Sequence, residues 1–294
     1  MKKSTKVMIK KHGWRVDRAI HNYIYFVFYY PYVKVVLVFL GLLKYLTWFK
    51  PLKSVGDFVF NRYHAKVLSV SDTQKIFTLN EDVRVISEQN KRVVPFKYAT
   101  KILFKEPEYI AVMDCPCKKS CNVRGDINSC IAVGKDLSTF WLEHCQHYNA
   151  RKITQEEAFN IIKRFRKTGH ITQVFMKVAT GGSTGLICNC HPDSCVSLIA
   201  SKITKKIDSN LSQSAQSGYS VVHDVKKCKT CGTCADICPV DVIEVRDVVW
   251  TYNKDECLGC ELCVEHCPNG ALSLYQDPDK LLPLDLDMIK ERFV

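Results

Sequence analysis

The sequence has no G-x-G-x-x-G and no G-x-x-x-x-G-K-[ST]. Its glycine-rich turn, Gly181-Gly182-Ser183-Thr184-Gly185, carries no lysine to meet a phosphate. Nicotinamide, flavin and nucleotide sites are therefore without support, and no nucleotide cofactor is expected. Acidic residues are scarce at one end: residues 1–70 hold 13 Lys and Arg against 2 Asp and Glu, whereas 220–294 hold 8 against 14. Nucleic acid is the usual partner of such a basic stretch, but here the basic residues flank apolar and aromatic ones. An anionic membrane surface fits that pattern better, and no nucleic-acid partner is expected.

An uninterrupted apolar run long enough to span a bilayer, about 20 residues, is also missing. Ile20 to Phe49 comes nearest, with Lys34 and Lys44 as its formal charges, but Pro31 and Lys34 divide it. Three readings stay open: an interfacial or re-entrant anchor, a true span, or a helix buried on this protein or a partner subunit. Lys2, Lys3, Lys6, Lys10 and Lys11 precede the segment, and Lys50, Lys53, Arg62 and Lys66 follow it. Basic flanks on both sides favour an anchor on the cytoplasmic face, peripheral or monotopic rather than single-span. No small-residue cleavage site follows the apolar stretch, so the 16 cysteines are expected in a reducing interior rather than in disulfides.

Half of those cysteines form a repeat. Cys228, Cys231, Cys234, Cys238 and Pro239 make a C-x2-C-x2-C-x3-C-P run, which recurs 29 residues later as Cys257, Cys260, Cys263, Cys267 and Pro268. Three thiols two residues apart can bind three corners of a [4Fe-4S] cubane from one wrap of backbone, and the fourth must come from elsewhere. A pair of zinc sites would instead pair its ligands across a long loop. Gly232 and Gly259 are expected to keep backbone close to sulfur, and the prolines to turn the chain away. Val240–Val245, Val248–Tyr252 and Ala271–Leu274 read as short strands.

Residues 220–276 resemble the bacterial-type dicluster ferredoxins in all eight cysteines and both prolines. The resemblance implies a duplicated βαβ fold and two [4Fe-4S] clusters with crossed ligands. Cys228, Cys231, Cys234 and Cys267 would hold cluster 1, and Cys257, Cys260, Cys263 and Cys238 cluster 2.

Eight cysteines remain upstream: Cys115, Cys117, Cys121 and Cys130 in one group, Cys188, Cys190 and Cys195 in another, and Cys145 between them. Core cysteines are usually scattered, whereas two local groups rich in Pro, Asn, Asp and Gly read as ligand loops. The intervening pattern predicts a helix from Pro95 through Phe104, a strand Tyr109–Met113 and a helix Leu137–Tyr148. Thr154 with Glu157 forms a capping box for a helix that Gly169 stops, and a strand Ile171–Val178 follows. Both groups are then expected on loops beyond strand ends, at one edge of a small α/β domain. The metal ligands expected here come from Cys115, Cys117, Cys121, Cys130, Cys188, Cys190 and Cys195, with Cys145 a bystander between His144 and His147.

This region is similar to the cysteine-rich module that precedes dicluster ferredoxin domains in iron-sulfur proteins of anaerobes. The likeness rests on Cys115-Pro-Cys117, Cys121, the Cys130–Gly134 stretch, the capped helix at 154–168 and Cys188-Asn-Cys190. It implies one or two additional [4Fe-4S] clusters. His191 and Pro192 stand where that family often has further thiols, so the ligand count is open and a structural zinc site is the alternative.

The expected fold class is α+β: an apolar anchor (1–70), a cysteine-rich α/β module (71–207), a polar linker (208–219), the ferredoxin domain (220–276) and a tail (277–294). The expected function is single-electron relay between redox protein partners or within a quinone-linked membrane complex, more an electron-transfer subunit than a stand-alone enzyme. Two other readings remain: an oxidoreductase acting on a disulfide or another small substrate at the upstream thiols, and a zinc-bearing scaffold.

Overall fold

The computed structural model describes residues 2–85, 92–94, 102–177 and 185–289. Four helices open the chain: α1 (Lys3–His12), α2 (Val16–Val27), α3 (Tyr29–Leu43) and α4 (Leu52–Arg62). None of the described helices is by itself long and apolar enough to cross a membrane. The pair α2 and α3 passes that test together but is bent by 93°. Tyr25, Phe26, Tyr29 and Val33 on one side of the bend are buried, while Ile20, Ile24, Val35, Val38 and Leu42 are exposed. The apolar segment is thus divided between a face packed on the body of the protein and a face left open.

The body is a seven-stranded sheet. Its strands are β1 (Tyr63–Val67), β4 (Ile110–Asp114), β5 (Asn128–Val133), β6 (Arg151–Ile153), β7 (Ile171–Lys177), β8 (Leu186–Cys190) and β9 (Ser214–Ala215), in the order β6-β4-β5-β8-β7-β1-β9. Every pairing is antiparallel except the two-residue edge of β1 with β9. The module expected as α/β is thus built on an almost wholly antiparallel sheet, which makes it α+β. A hairpin of β2 (Val83–Val85) and β3 (Ile102–Phe104) lies apart. The helix expected from Pro95 falls largely on residues outside the description, and its end, Ile102–Phe104, is strand. The glycine turn at 181–184 also lies outside the described residues.

Two helical layers cover the sheet. On one face, α5 (Val70–Phe77) and α8 (Gln155–Arg166) pack on Ile131, Val133, Val174 and Ile187. Thr154 caps α8 by accepting from the Glu157 N–H at 3.0 Å, as the capping box requires, a contact worth about 1 kcal/mol. The helix ends before Gly169, whose φ of +79° is left-handed. On the other face lie α2, α3, α7 (Lys135–His144) and α9 (Val196–Thr204), with the short α6 (Pro116–Ser120) beside them.

The C-terminal part runs β10 (Tyr219–His223), α10 (Thr233–Asp236), β11 (Ile243–Arg246), β12 (Val249–Tyr252), α11 (Leu262–Glu265) and β13 (Leu272–Gln276). Strand β10 pairs with β13 and β11 with β12, both antiparallel. A last helix, α12, covers Leu286–Ile289.

Residues 208–219, polar in composition, are packed rather than loose. The Ser197 and Ser214 hydroxyls meet at 3.1 Å, Thr204 Oγ1 donates to the Leu211 carbonyl at 2.7 Å, and Ser217 Oγ donates to the Gly259 carbonyl at 2.7 Å. The segment ties α9 to the second cysteine run.

Candidate iron-sulfur sites

The two C-terminal runs share a backbone as well as a spacing. Thr230 and Gly259 occupy equivalent positions with φ of +49° and +65°; Gly232 and Glu261 have +80° and +71°; Asp241 and Gly270 have +54° and +56°. Left-handed backbone at a threonine and a glutamate costs on the order of 1–3 kcal/mol each, so a common requirement holds the loops in this shape. That requirement is visible in the sulfur contacts. The Thr230 N–H donates to Cys228 Sγ and the Gly259 N–H to Cys257 Sγ, both at 3.3 Å, and the Ala271 N–H donates to Cys267 Sγ at 3.3 Å. Backbone N–H groups aimed at sulfur are the hydrogen bonds that tune an iron-sulfur cluster.

The thiols group in two sets. Cys228, Cys231, Cys234 and Cys267 line one small cavity, with Trp250 and His223 on its wall. Cys238, Cys257, Cys260 and Cys263 lie near enough to one another for their charges to interact. The expected roles of the two glycines divide. A Cβ on Gly259 would overlap Ser217 Oγ and the Tyr219 carbonyl, whereas a Cβ on Gly232 meets nothing within 4 Å. Gly232 is needed for its dihedral angle, and Gly259 for close approach of the β10 chain as well.

Upstream, the antiparallel register of β5 and β8 sets Cys130 opposite Cys188, and their sulfurs lie 3.7 Å apart. Side chains alternate across a strand, so Cys130, Cys188 and Cys190 share the face opposite Ile131 and Ile187. These three cysteines are within strands, not on loops beyond them. Cys115 ends the turn from β4 into α6, and Cys195 precedes α9. Six cysteines, Cys115, Cys117, Cys130, Cys188, Cys190 and Cys195, line a single cavity of about 250 Å³. Cys121 stands outside it, its sulfur 3.8 Å from the Ser194 carbonyl. Cys145 is buried elsewhere against the Phe26 carbonyl, and burial pushes its thiol up to about 12.

The cavity holds a proton-sharing network. Hydrogen bonds with the Cys117 and Cys130 thiols pull Cys115 well below its usual range, while those with Cys115 push Cys117 and Cys130 well above theirs. Likewise Cys190 and Cys195 split, with Cys195 lowered and Cys190 raised.

Two lysines enter the same cavity. Lys118 is 1% exposed; its Nζ has no hydrogen-bond partner among the described residues and sits 3.5 Å over the Phe165 ring. Lys177 is 4% exposed and donates to the Tyr25 and Tyr29 hydroxyls at 2.5 and 2.9 Å. Burial pulls both lysines below their usual range, and neighbouring thiols pull them back up: Cys115 and Cys130 for Lys118, Cys188 and Cys117 for Lys177. A buried ammonium is costly unless anions compensate it, and the charges that act most on Lys118 are those of Cys115, Cys130 and Cys190. Thiolates carrying an iron-sulfur cluster would be those anions, and in this respect the donor set fits a cubane. Among the described residues no group of three or more His, Cys, Asp or Glu side chains is arranged to hold a single metal ion.

Sequence reasoning did not single out Lys118, Lys177, Tyr25 or Tyr29. Lys118 adjoins Cys117, and Lys177 lies at even spacing from Phe175 on β7, but only the packed sheet shows that both face sulfur. It also missed Arg166. This residue, 2% exposed on α8, pairs with Glu265 and donates to the Cys260 carbonyl at 2.6 Å. Leu258, Cys260 and Leu262 belong to the same core as Cys130, Cys188 and Cys190. The second run is thereby seated on the same core as the upstream thiols.

Cysteine spacing, duplicated loop geometry and paired strands define a ferredoxin-type domain at the C-terminal end. Residues 227–271 match the family model of the 4Fe-4S dicluster domain. Among curated proteins the chain is similar to an uncharacterized ferredoxin of Methanocaldococcus jannaschii, 30% identical over 67 residues. That match covers 19% of this chain and 44% of the relative, so the chain spans less than half of that ferredoxin's length. An iron-sulfur, metal-binding ferredoxin part within an α+β chain is what these findings establish.

Proposed function

We propose that this chain relays single electrons between a redox protein that docks at the C-terminal domain and an acceptor reached through the upstream module. The ligand sets would be Cys228, Cys231, Cys234 and Cys267 for one [4Fe-4S] cluster, and Cys257, Cys260, Cys263 and Cys238 for the other. The strand and helix order of residues 219–276, two β-α-β halves, supports this crossed assignment. A third cluster would take four of the six cavity thiols. Clusters so held supply one-electron transfer, with potentials set by burial and by hydrogen bonds to sulfur.

The observation that carries the reading is the convergence of six cysteines from four separate parts of the chain beside two buried lysines. Those lysines would offset the charge of a bound cluster, and the seating of the Cys257–Cys263 loop on the same core would supply a route inward. The basic N-terminal segment, with its open apolar face, supports attachment to an anionic membrane on the cytoplasmic side, as part of a quinone-linked complex. Six thiols exceed the four a cubane takes. That surplus favours a second reading, in which a spare thiol acts on a disulfide substrate.

The test is metal and sulfide analysis of full-length protein purified without oxygen, combined with EPR. Relay predicts clusters that change only oxidation state; a spectrum that responds to an added disulfide would favour the second reading. Near-stoichiometric zinc with iron for two cubanes would reject an upstream cluster.

A further inference from the structure

The thiol cavity has a second, aliphatic stretch. From the cysteines it continues between α3, α4 and α9, past Val36, Leu40, Leu43 and Leu52. It reaches the surface at Phe39, Val55 and Val59, which are 50%, 46% and 40% exposed. Beyond this opening α3 and α4 present Val35, Val38, Leu42 and Phe58, each more than half exposed. Lys34 lies on α3, Lys53 and Arg62 on α4, and Lys44 and Lys50 in the connection between them.

The inner end is of opposite character. Tyr25, Tyr29 and Lys177 place three hydrogen-bonding groups in the same cavity as the thiols. Lys177 donates to both phenol oxygens, and the Tyr25 hydroxyl donates to Tyr29 at 2.7 Å. A molecule suited to this space must be lipid-soluble along most of its length, must offer hydrogen-bond acceptors at one end, and must have use for a redox-active inner wall. A fatty acid satisfies the first condition, but its carboxylate has no use for six thiols.

We infer that the cavity is a binding site for a lipid-soluble quinone. Its tail would lie in the aliphatic stretch between α3 and α4, and its ring carbonyl would accept hydrogen bonds at Lys177 and at Tyr29, whose hydroxyl accepts from Tyr25. The site opens on the exposed apolar face of α3 and α4, so a ligand would enter from the lipid phase. This inference rests on the electron-relay reading and gives that relay its lipid-side partner.

The experiment titrates menaquinone with a single prenyl unit into anaerobically purified full-length protein and reads binding by calorimetry, after iron has been measured in each sample. Saturable binding to one site per chain is expected. Val59→Trp, a surface change at the mouth, should weaken it about tenfold or more by filling the passage, with iron content unchanged. Lys177→Met should weaken it to a similar degree by removing a donor to the carbonyl. EPR of the upstream cluster should also shift on adding quinone to the native protein and not to Val59→Trp. Absence of binding in protein with full iron would overturn the inference and leave the relay standing, whereas iron sufficient for two cubanes only would strike the relay itself. Binding that Val59→Trp leaves unchanged, or oleate binding where the quinone does not bind, would also overturn it.

Discussion

The two cysteine runs have one spacing and one backbone, yet they live in different surroundings. Cys231 is exposed, and its hydrogen bond with Thr233 lowers its thiol; Cys260, at the equivalent position, is buried, and burial pushes its thiol up to about 12. Around the first run, Val225 and Val248 are 75% and 77% exposed. Around the second, Leu258 and Leu262 join the upstream core and Arg166 bonds the Cys260 carbonyl. A duplicated motif has thus acquired two faces: one exposed, the other built into the protein. Electron tunnelling needs close approach, so this asymmetry gives the proposed relay a direction.

Experiments can break the comparison from its buried side outward. Cys190→Ser should have the largest effect, removing about four iron atoms per chain by elemental analysis while leaving the C-terminal signals in EPR. Iron unchanged in this variant would separate the second run from any upstream cluster. Gly259→Ala should cost about 3–4 kcal/mol in anaerobic thermal unfolding, since its Cβ overlaps Ser217 and the Tyr219 carbonyl; Gly232→Ala, with open space around it, should cost only about 1–2 kcal/mol from its dihedral angle. Equal costs would mean that the two loops are not differently packed. Arg166→Met should destabilise by about 2–3 kcal/mol, because the Cys260 carbonyl loses its donor and Glu265 its partner, and it should speed iron loss to a chelator from the second run alone. Thr230→Gly has the smallest expected effect, a gain of up to about 1 kcal/mol from relief of left-handed backbone, with iron content unchanged.

The ferredoxin part was legible because its chemistry is local. Four thiols, a proline and left-handed turn positions lie within a dozen residues, and short apolar stretches at 240–245, 248–252 and 271–274 overlap the strands found at 243–246, 249–252 and 272–276. The capped helix α8 was legible for the same reason, with Thr154 and Glu157 one turn apart. The upstream site was legible only as a collection of thiols. That Cys130 faces Cys188, and that Lys118 and Lys177 lie among them, follows from strand register across 58 residues of sequence, which no local pattern encodes. Residues 208–219 misled for a related reason. Serine and glutamine read as solvated loop, but here the Ser201 hydroxyl accepts from the Gln213 N–H and the serines of β9 and α9 satisfy one another in the interior.

The most direct test of the central claim is iron and acid-labile sulfide per chain in full-length protein purified under strict exclusion of oxygen. Three cubanes predict about twelve of each. Values near eight would confine the clusters to the C-terminal domain and contradict the assignment of the six-thiol cavity.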